Sequence, residues 1–260
     1  MSKTAILTGA SSGIGFELAR ELASRGYALS LLARRGDLLE QLARELSPRT
    51  KVVTHVCDVA DGAAVREAVQ RSVEALGAPF DLAIANAGIG VPTHASKFSI
   101  ADAELIIRVN VLGMMYLFDA VIPSMVERRT GHFAGVASIA GLRGLPSASV
   151  YSASKACMQS FLEASRVELL PYGVGVTIVN PGFIATPMTA KNRYRMPFLL
   201  QAPEAAVIIA DGIERRARVV EFPKPMSLLM RTARLIPDAI WDRATRGAAK
   251  RKTDPSKVKR

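Results

Sequence analysis

Seven short runs rich in Ala, Val, Leu and Ile recur along the first 222 residues, separated by longer amphipathic stretches. They fall at 4–8, 28–33, 52–57, 82–85, 131–137, 175–180 and 219–222. Runs this short and apolar are strands covered on both faces, and strands alternating with helical patterns build βαβ units around a parallel sheet. The helical patterns occupy 13–25, 37–46, 63–76, 103–128 and 149–170. A further helix is predicted from Pro203-Glu204, where proline suits a first turn and glutamate meets the positive end of the helix dipole. The expected fold is α/β: a doubly wound, mostly parallel sheet in three layers. A length of 260 residues accommodates this in one unit. With 49% hydrophobic and 22% charged residues, the chain falls outside disordered, collagenous and low-complexity classes.

The formal charge of +11 is unevenly placed. Residues 1–214 carry 20 Lys+Arg against 19 Asp+Glu, whereas residues 215–260 carry 14 against 4. The reading is a nearly neutral body, 1–222, followed by a short helical, basic and amphipathic C-terminal extension, 223–260. Pro223, Pro225 and Pro237 punctuate two helical patterns in that extension, at 226–236 and 238–247. In the first, Met226, Leu229, Met230 and Ala233 follow the spacing of one helix face, with Arg231 and Arg234 off it. Such a segment suits a peripheral membrane contact through 226–260, and equally a cap over a cleft or a subunit edge. Nucleic acid is not expected, because the segment has no reader fold and no interleaved stacking aromatics.

Two cysteines, Cys57 and Cys157, cannot form a disulfide framework, and Cys157 reads as a small core residue. His55, His94 and His132 lie in separate segments without ligand spacing, so no metal is expected. Residues 1–8 lack the apolar stretch of a signal peptide, and no uncharged apolar run approaches the roughly 18–20 residues that span a bilayer. The expected location is cytoplasmic, at most peripheral on a membrane.

Thr8-Gly9-Ala10-Ser11-Ser12-Gly13-Ile14-Gly15 joins the first strand to the first helix. Glycines there let the backbone turn sharply and approach a pyrophosphate, which the helix N-terminus attracts. Asp58-Val59 ends the third strand, where the carboxylate could accept from adenine or cap the next helix. Twenty residues past Gly13 the second strand ends in Ala33-Arg34-Arg35. Sites for NAD usually place an acidic residue at that point, whereas guanidinium groups match a 2′-phosphate. The cofactor inferred is NADP(H).

Tyr151 and Lys155 stand four residues apart on a predicted helix and so share a face. A phenol titrates near pH 10, and a neighbouring ammonium favours its ionised form. Ser138 follows the fifth apolar run, beyond the carboxyl ends of the strands where ligands of parallel sheets bind.

Together these residues resemble the short-chain dehydrogenase/reductase family, in its typical single-domain, Rossmann-type branch, over about residues 3–222. The motifs are the glycine turn, Asp58-Val59, Asn86-Ala87-Gly88, Asn110, Ser138, Tyr151-x3-Lys155 and Pro181-Gly182-Phe183-Ile184-Ala185-Thr186. The resemblance implies an NADP(H)-dependent oxidoreductase that interconverts a carbonyl and a secondary alcohol. Tyr151 would exchange the proton with the substrate oxygen as hydride moves between nicotinamide C4 and carbon. Lys155 would hold the nicotinamide ribose and lower the Tyr151 pKa. Ser138 would orient the carbonyl, and Asn110 would fix a water beside Lys155. Asn86 would steady the adenine side, Ile184 and Thr186 would lie against the carboxamide, and Arg34 would carry the 2′-phosphate. Ser12 stands where many NADP-using relatives have a basic residue. The resemblance also implies a homodimer or homotetramer. Substrate walls would come from 89–93, 139–147 and 183–200, where Leu142, Leu145, Met188, Met196, Phe198, Leu199 and Leu200 are apolar and Arg143, Lys191, Arg193 and Arg195 are cationic. They suit a lipophilic or acyl-type substrate, and equally a mobile lid over a small polar metabolite; a non-catalytic NADP(H)-binding sensor is the further alternative.

Overall fold

A computed structural model describes residues 3–192 and 195–251, with side chains outside that description at Lys191 and from residue 248 onward. Seven strands form one parallel sheet: β1 (Thr4–Thr8), β2 (Ala28–Ala33), β3 (Val52–Val56), β4 (Leu82–Ala85), β5 (Gly131–Val136), β6 (Val174–Pro181) and, after two short strands, β9 (Val219–Phe222). Their spatial order is β3-β2-β1-β4-β5-β6-β9. The short strands β7 (Ile184–Ala185) and β8 (Leu200–Gln201) pair separately beside the sheet.

Every residue of β1, β2, β4 and β5 is buried, which explains why those runs lack a polar alternation. Successive side chains nevertheless serve opposite faces. Ala5, Leu7, Leu29 and Leu31 pack toward α1 (Gly13–Ser24), α2 (Gly36–Leu46) and α7 (Ala202–Glu214). Ile6, Leu32, Ala83 and Phe133 pack toward α3 (Gly62–Leu76), α5 (Gly113–Glu127) and α6 (Ser149–Leu169). The result is the expected three layers, with the sheet buried between two helical ones.

Before α5, α4 (Ile100–Ile107) runs through a π turn at Arg108–Leu112. The stretch Ile100–Glu127 is the one helix among the described residues long and apolar enough to cross a bilayer by composition. It is a core helix: Met114, Leu117, Val121 and Met125 are buried against the sheet. It starts at Ile100, three residues before the predicted start, because the Ser99 hydroxyl accepts from the Asp102 amide and caps it.

The C-terminal segment forms α8 (Lys224–Leu235) and α9 (Asp238–Arg251). The buried face of α8 is Met226, Ser227, Met230 and Ala233. Leu229, expected on that face, is 58% exposed. At about 100° per residue it falls at the edge of the buried arc, which centres between Met226 and Ser227.

Candidate active site

Between β1 and β4 the order of strands reverses direction, so the loops after them diverge and leave a crevice at the carboxyl edge. A cleft of about 300 Å³ opens there. Its walls include Gly9, Ser11, Ser12, Gly13 and Ile14 after β1, Arg34 and Arg35 after β2, and Asp58 and Val59 after β3. Asn86, Ala87 and Gly88 follow β4, and Ser138, Tyr151, Lys155, Pro181, Gly182, Ile184 and Thr186 complete the far end. Of the residues expected to act in catalysis or hold the cofactor, only Gly15 and Asn110 stand behind this wall rather than in it.

The glycine turn is held tightly under the cleft. Gly9 has φ +70°, and a Cβ there would sit 2.8 Å from Ala87 Cα. A Cβ on Gly15 would overlap the Gly9 carbonyl, so that glycine brings α1 against the turn. Asn86 fastens the turn from the neighbouring strand: its Nδ2 donates to the Thr8 carbonyl at 3.0 Å and the Gly9 carbonyl at 3.3 Å. The Ser12 hydroxyl does not cap α1, and its first turn holds no acidic side chain. The orphan N–H groups of that turn therefore remain available to an anion, and the residues present fit a pyrophosphate.

Two arginines mark one end. Arg35 donates from Nη2 to Ser11 Oγ at 2.9 Å and Ser12 Oγ at 2.7 Å, which lays its guanidinium across the glycine turn. The Arg34 side chain is 64% exposed, with Nη1 4.0 Å from an Asp58 carboxylate oxygen. Of the two roles open to Asp58, the next helix does not use it. Asp61 caps α3 by accepting from the Ala63 and Ala64 amides, while Asp58 Oδ1 takes the Ala60 amide at 3.0 Å. Beside it the buried Cys57 thiol is pushed up to about 11 by desolvation.

At the other end, α6 aims Tyr151 and Lys155 into the cleft, and Lys155 Nζ lies 5.8 Å from the Tyr151 ring centroid. Lys155 is 4% exposed, and its Nζ donates to the Val136 carbonyl at 2.8 Å. Burial pushes its ammonium down to about 7. Ser138 follows β5 and accepts from the Ala140 amide at 3.1 Å. Asn110 sits in the π turn, where the widened helix lets a fully buried amide reach the loop after β4. Its Oδ1 accepts from the Ile89 amide at 2.8 Å, and its Nδ2 donates to the Ile89 carbonyl and Ser154 Oγ, both at 3.0 Å. A Cβ on Gly88 would meet Asn110 Oδ1 at 3.3 Å and Lys155 Nζ at 3.5 Å, so both groups border the same point.

Sequence reasoning missed the supports behind Ser138. Gln159 Nε2 donates to the Ser138 carbonyl at 2.7 Å and Asn180 Oδ1 at 2.8 Å. Asn180 Nδ2 in turn donates to Glu221 at 2.9 Å, and Glu221 accepts from Arg231 at 2.8 Å. Gln159 lies two turns past Tyr151 on the same helix, a spacing that could have flagged it.

Two expectations are corrected. Arg143 is no cation of the substrate slot: its Nη1 donates to the Ala233 carbonyl at 2.6 Å and the Ile236 carbonyl at 2.8 Å, its Nη2 to Asp238 at 2.9 Å. Free carbonyls at the end of α8 draw the guanidinium away. Cys157 is exposed rather than in the core, because two residues beyond the inward Lys155 the helix has turned about 200°. Among the substrate-side residues, Met188 lines the cleft, while Leu142, Leu145 and Phe183 pack beside it under α8. Arg195, Phe198 and Leu199 are exposed. Arg193 and the side chain of Lys191 lie outside the described residues. No cluster of three or more metal-ligating side chains occurs among the described residues.

This arrangement defines a nucleotide-binding oxidoreductase fold, and comparison with known proteins agrees. The short chain dehydrogenase family profile matches residues 3–196, and the chain belongs to the short-chain dehydrogenase/reductase family. It is 40% identical over 245 residues to an uncharacterized oxidoreductase of Myxococcus xanthus, covering 94% of this chain and 96% of that one. A short-chain dehydrogenase/reductase from Burkholderia phymatum, solved in complex with NAD, superposes with a TM-score of 0.82 at 25% identity, over 88% of this chain and 92% of that one. An alcohol dehydrogenase from the archaeon Thermococcus sibiricus, complexed with 5-hydroxy-NADP, gives 0.77 at 29% identity, over 85% and 94%. Structural neighbours thus hold nicotinamide cofactors of both kinds.

Proposed function

We propose that this protein is an NADP(H)-dependent oxidoreductase that interconverts a carbonyl and a secondary alcohol on a lipophilic or acyl-type substrate. The observation that carries the reading is the pairing of Tyr151 and Lys155 with Ser138 at one end of a cleft whose other end holds two arginines. Bound NADP(H) would supply or accept the hydride at nicotinamide C4. In reduction, the Ser138 hydroxyl orients the carbonyl oxygen by donating to it. The Tyr151 hydroxyl gives that oxygen its proton as the carbon receives hydride, and the alcohol forms. The Lys155 ammonium then stabilises the phenolate left on Tyr151. Asn110, pinned by Ile89 and Ser154, borders the Lys155 head group. In oxidation the same groups act in reverse.

The preference for the phosphorylated cofactor rests on Ala33, Arg34 and Arg35. Ala33 leaves no carboxylate at the end of β2 to accept from a ribose hydroxyl. Arg35 reaches Ser12 and brings there the positive charge that position 12 itself lacks. Asp58 and Val59 would hold the adenine, and Pro181, Gly182, Ile184 and Thr186 the nicotinamide end. Because α8 consumes Arg143 and Met188 lines the cleft near Tyr151, the reading favours an apolar carbonyl over a small polar metabolite. The catalytic unit of 1–222 would be followed by the basic extension 223–260, and the active form would be a homodimer or homotetramer.

The test follows deuterium from C4-labelled NADPH, on each face, into lipid and polar cell extracts incubated with the protein. Label on the carbinol carbon of a lipid alcohol supports the reading; label confined to polar metabolites overturns the substrate class. Tyr151→Phe should bind NADPH normally and transfer no label. Transfer by that variant at a rate near the parent's removes Tyr151 from the mechanism.

A further inference from the structure

The pair α8–α9 carries an apolar face that the fold leaves unused. Met226 and Met230 fill the inner side of α8, packing with Ile139 beside Leu142, Leu145 and Phe183. At about 100° per residue, Leu228, Thr232 and Leu235 project from the opposite side, with Leu229 on the flank. Leu228 is 65% exposed, Leu229 58% and Leu235 83%, and Ile240 on α9 is 59% exposed.

These residues are not an unfinished part of the core, because the helix already buries its other face. Arg143 also fixes the corner between the helices: it bonds the last carbonyls of α8, pairs with Asp238 and stacks over Trp241 at 4.7 Å. The leucines are therefore presented on a fixed support.

Charge selects the occupant. Residues 215–260 hold 14 Lys+Arg against 4 Asp+Glu, while the rest of the chain is nearly neutral. Arg234, Arg243 and Arg246 are exposed on the same two helices. A second copy docking face to face would set this charge against itself, and a bare polyanion would make no use of the leucines. A surface offering both anionic head groups and an apolar interior answers both features.

We propose that α8 and α9 dock the protein on an anionic phospholipid surface. Leu228, Leu229, Leu235 and Ile240 enter the acyl boundary, and the exposed arginines hold head-group phosphates. The inner face of α8 packs beside the loop after Ser138, so docking sets the substrate side of the cleft near the lipid. The docking itself does not depend on the chemistry proposed for the cleft.

Sedimentation of the full chain with phosphatidylcholine vesicles, with and without phosphatidylglycerol, tests this. Binding should require phosphatidylglycerol and weaken as salt rises. Combined Leu228→Ser, Leu229→Ser and Leu235→Ser should lower vesicle affinity at least tenfold with NADPH binding unchanged. Should that variant misfold, Arg234→Glu with Arg243→Glu should abolish the phosphatidylglycerol dependence instead. Absence of vesicle binding, or equal binding by parent and both variants, overturns the proposal. Self-association of the parent that the leucine variant loses would assign the face to a second copy and overturn it equally.

Discussion

Replacing Lys155 by methionine should remove a pH-dependent destabilisation built into the cleft. The ammonium is 4% exposed and has one carbonyl acceptor, at Val136, so burial lowers its pKa from 10.5 to about 7. A fall of that size corresponds to ~5 kcal/mol at one pKa unit per ~1.4 kcal/mol. Between pH 7 and 10.5 the unfolded chain holds this proton while the folded chain has largely released it. Stability therefore rises with pH across that window, and the full cost is present only below the folded pKa. From pH 7 to pH 9 the relief amounts to ~2 kcal/mol. Methionine matches the length of the stem and does not titrate. Urea unfolding of ligand-free parent and Lys155→Met should show the variant more stable at pH 7, with its advantage shrinking by ~2 kcal/mol by pH 9. Other titrating groups, including Cys57, are common to both proteins and cancel in the difference. Parallel pH curves would mean that Lys155 remains an ordinary ammonium, and the burial argument would fail.

Gly9→Ala forces a side chain into φ +70° and against Ala87 Cα, a conformational cost of ~1–2 kcal/mol before any clash, so NADPH titration should show at least about tenfold weaker binding in a folded protein. Unchanged affinity would show that the turn does not meet the cofactor. Arg34→Ala and Arg35→Ala should each weaken NADPH more than NADH, by about tenfold or more if one charge-assisted bond is lost. Equal loss for both cofactors would refute the 2′-phosphate role. Arg143→Ala strips three carbonyls of their charged donor and should cost ~2–4 kcal/mol locally, read as faster amide exchange and proteolysis in α8–α9. Arg143→Lys should not restore protection, since an ammonium lacks the planar fork; full rescue would contradict this.

The architecture was legible because its signals are local. The runs at 4–8, 28–33 and 82–85 coincide with observed strands, since strands buried on both faces must be short, continuous and apolar, and the run at 219–222 coincides with the edge strand β9. Tyr151 and Lys155 share a helix face by periodicity alone, and the glycine turn is marked by its own closely spaced glycines between a strand and a helix. The family followed from those residues in their order.

Other features depended on groups far apart in the chain. Strand order alone brings the loops after β1 through β6 to one edge, where Gly9, Arg34, Asp58, Asn86 and Ser138 become neighbours. The π turn that turns Asn110 toward Ile89 leaves no mark in a run that reads as one regular helix. Arg143 looked like a substrate cation until the free carbonyls of α8, 90 residues on, were placed beside it. Cys157 and Leu229 fit a core by type, yet the side on which each helix meets the body left them exposed. Sequence determines which residues form an element and which can share a face. Only long-range packing decides what that face meets, because burial and hydrogen bonding are settled between elements rather than within them.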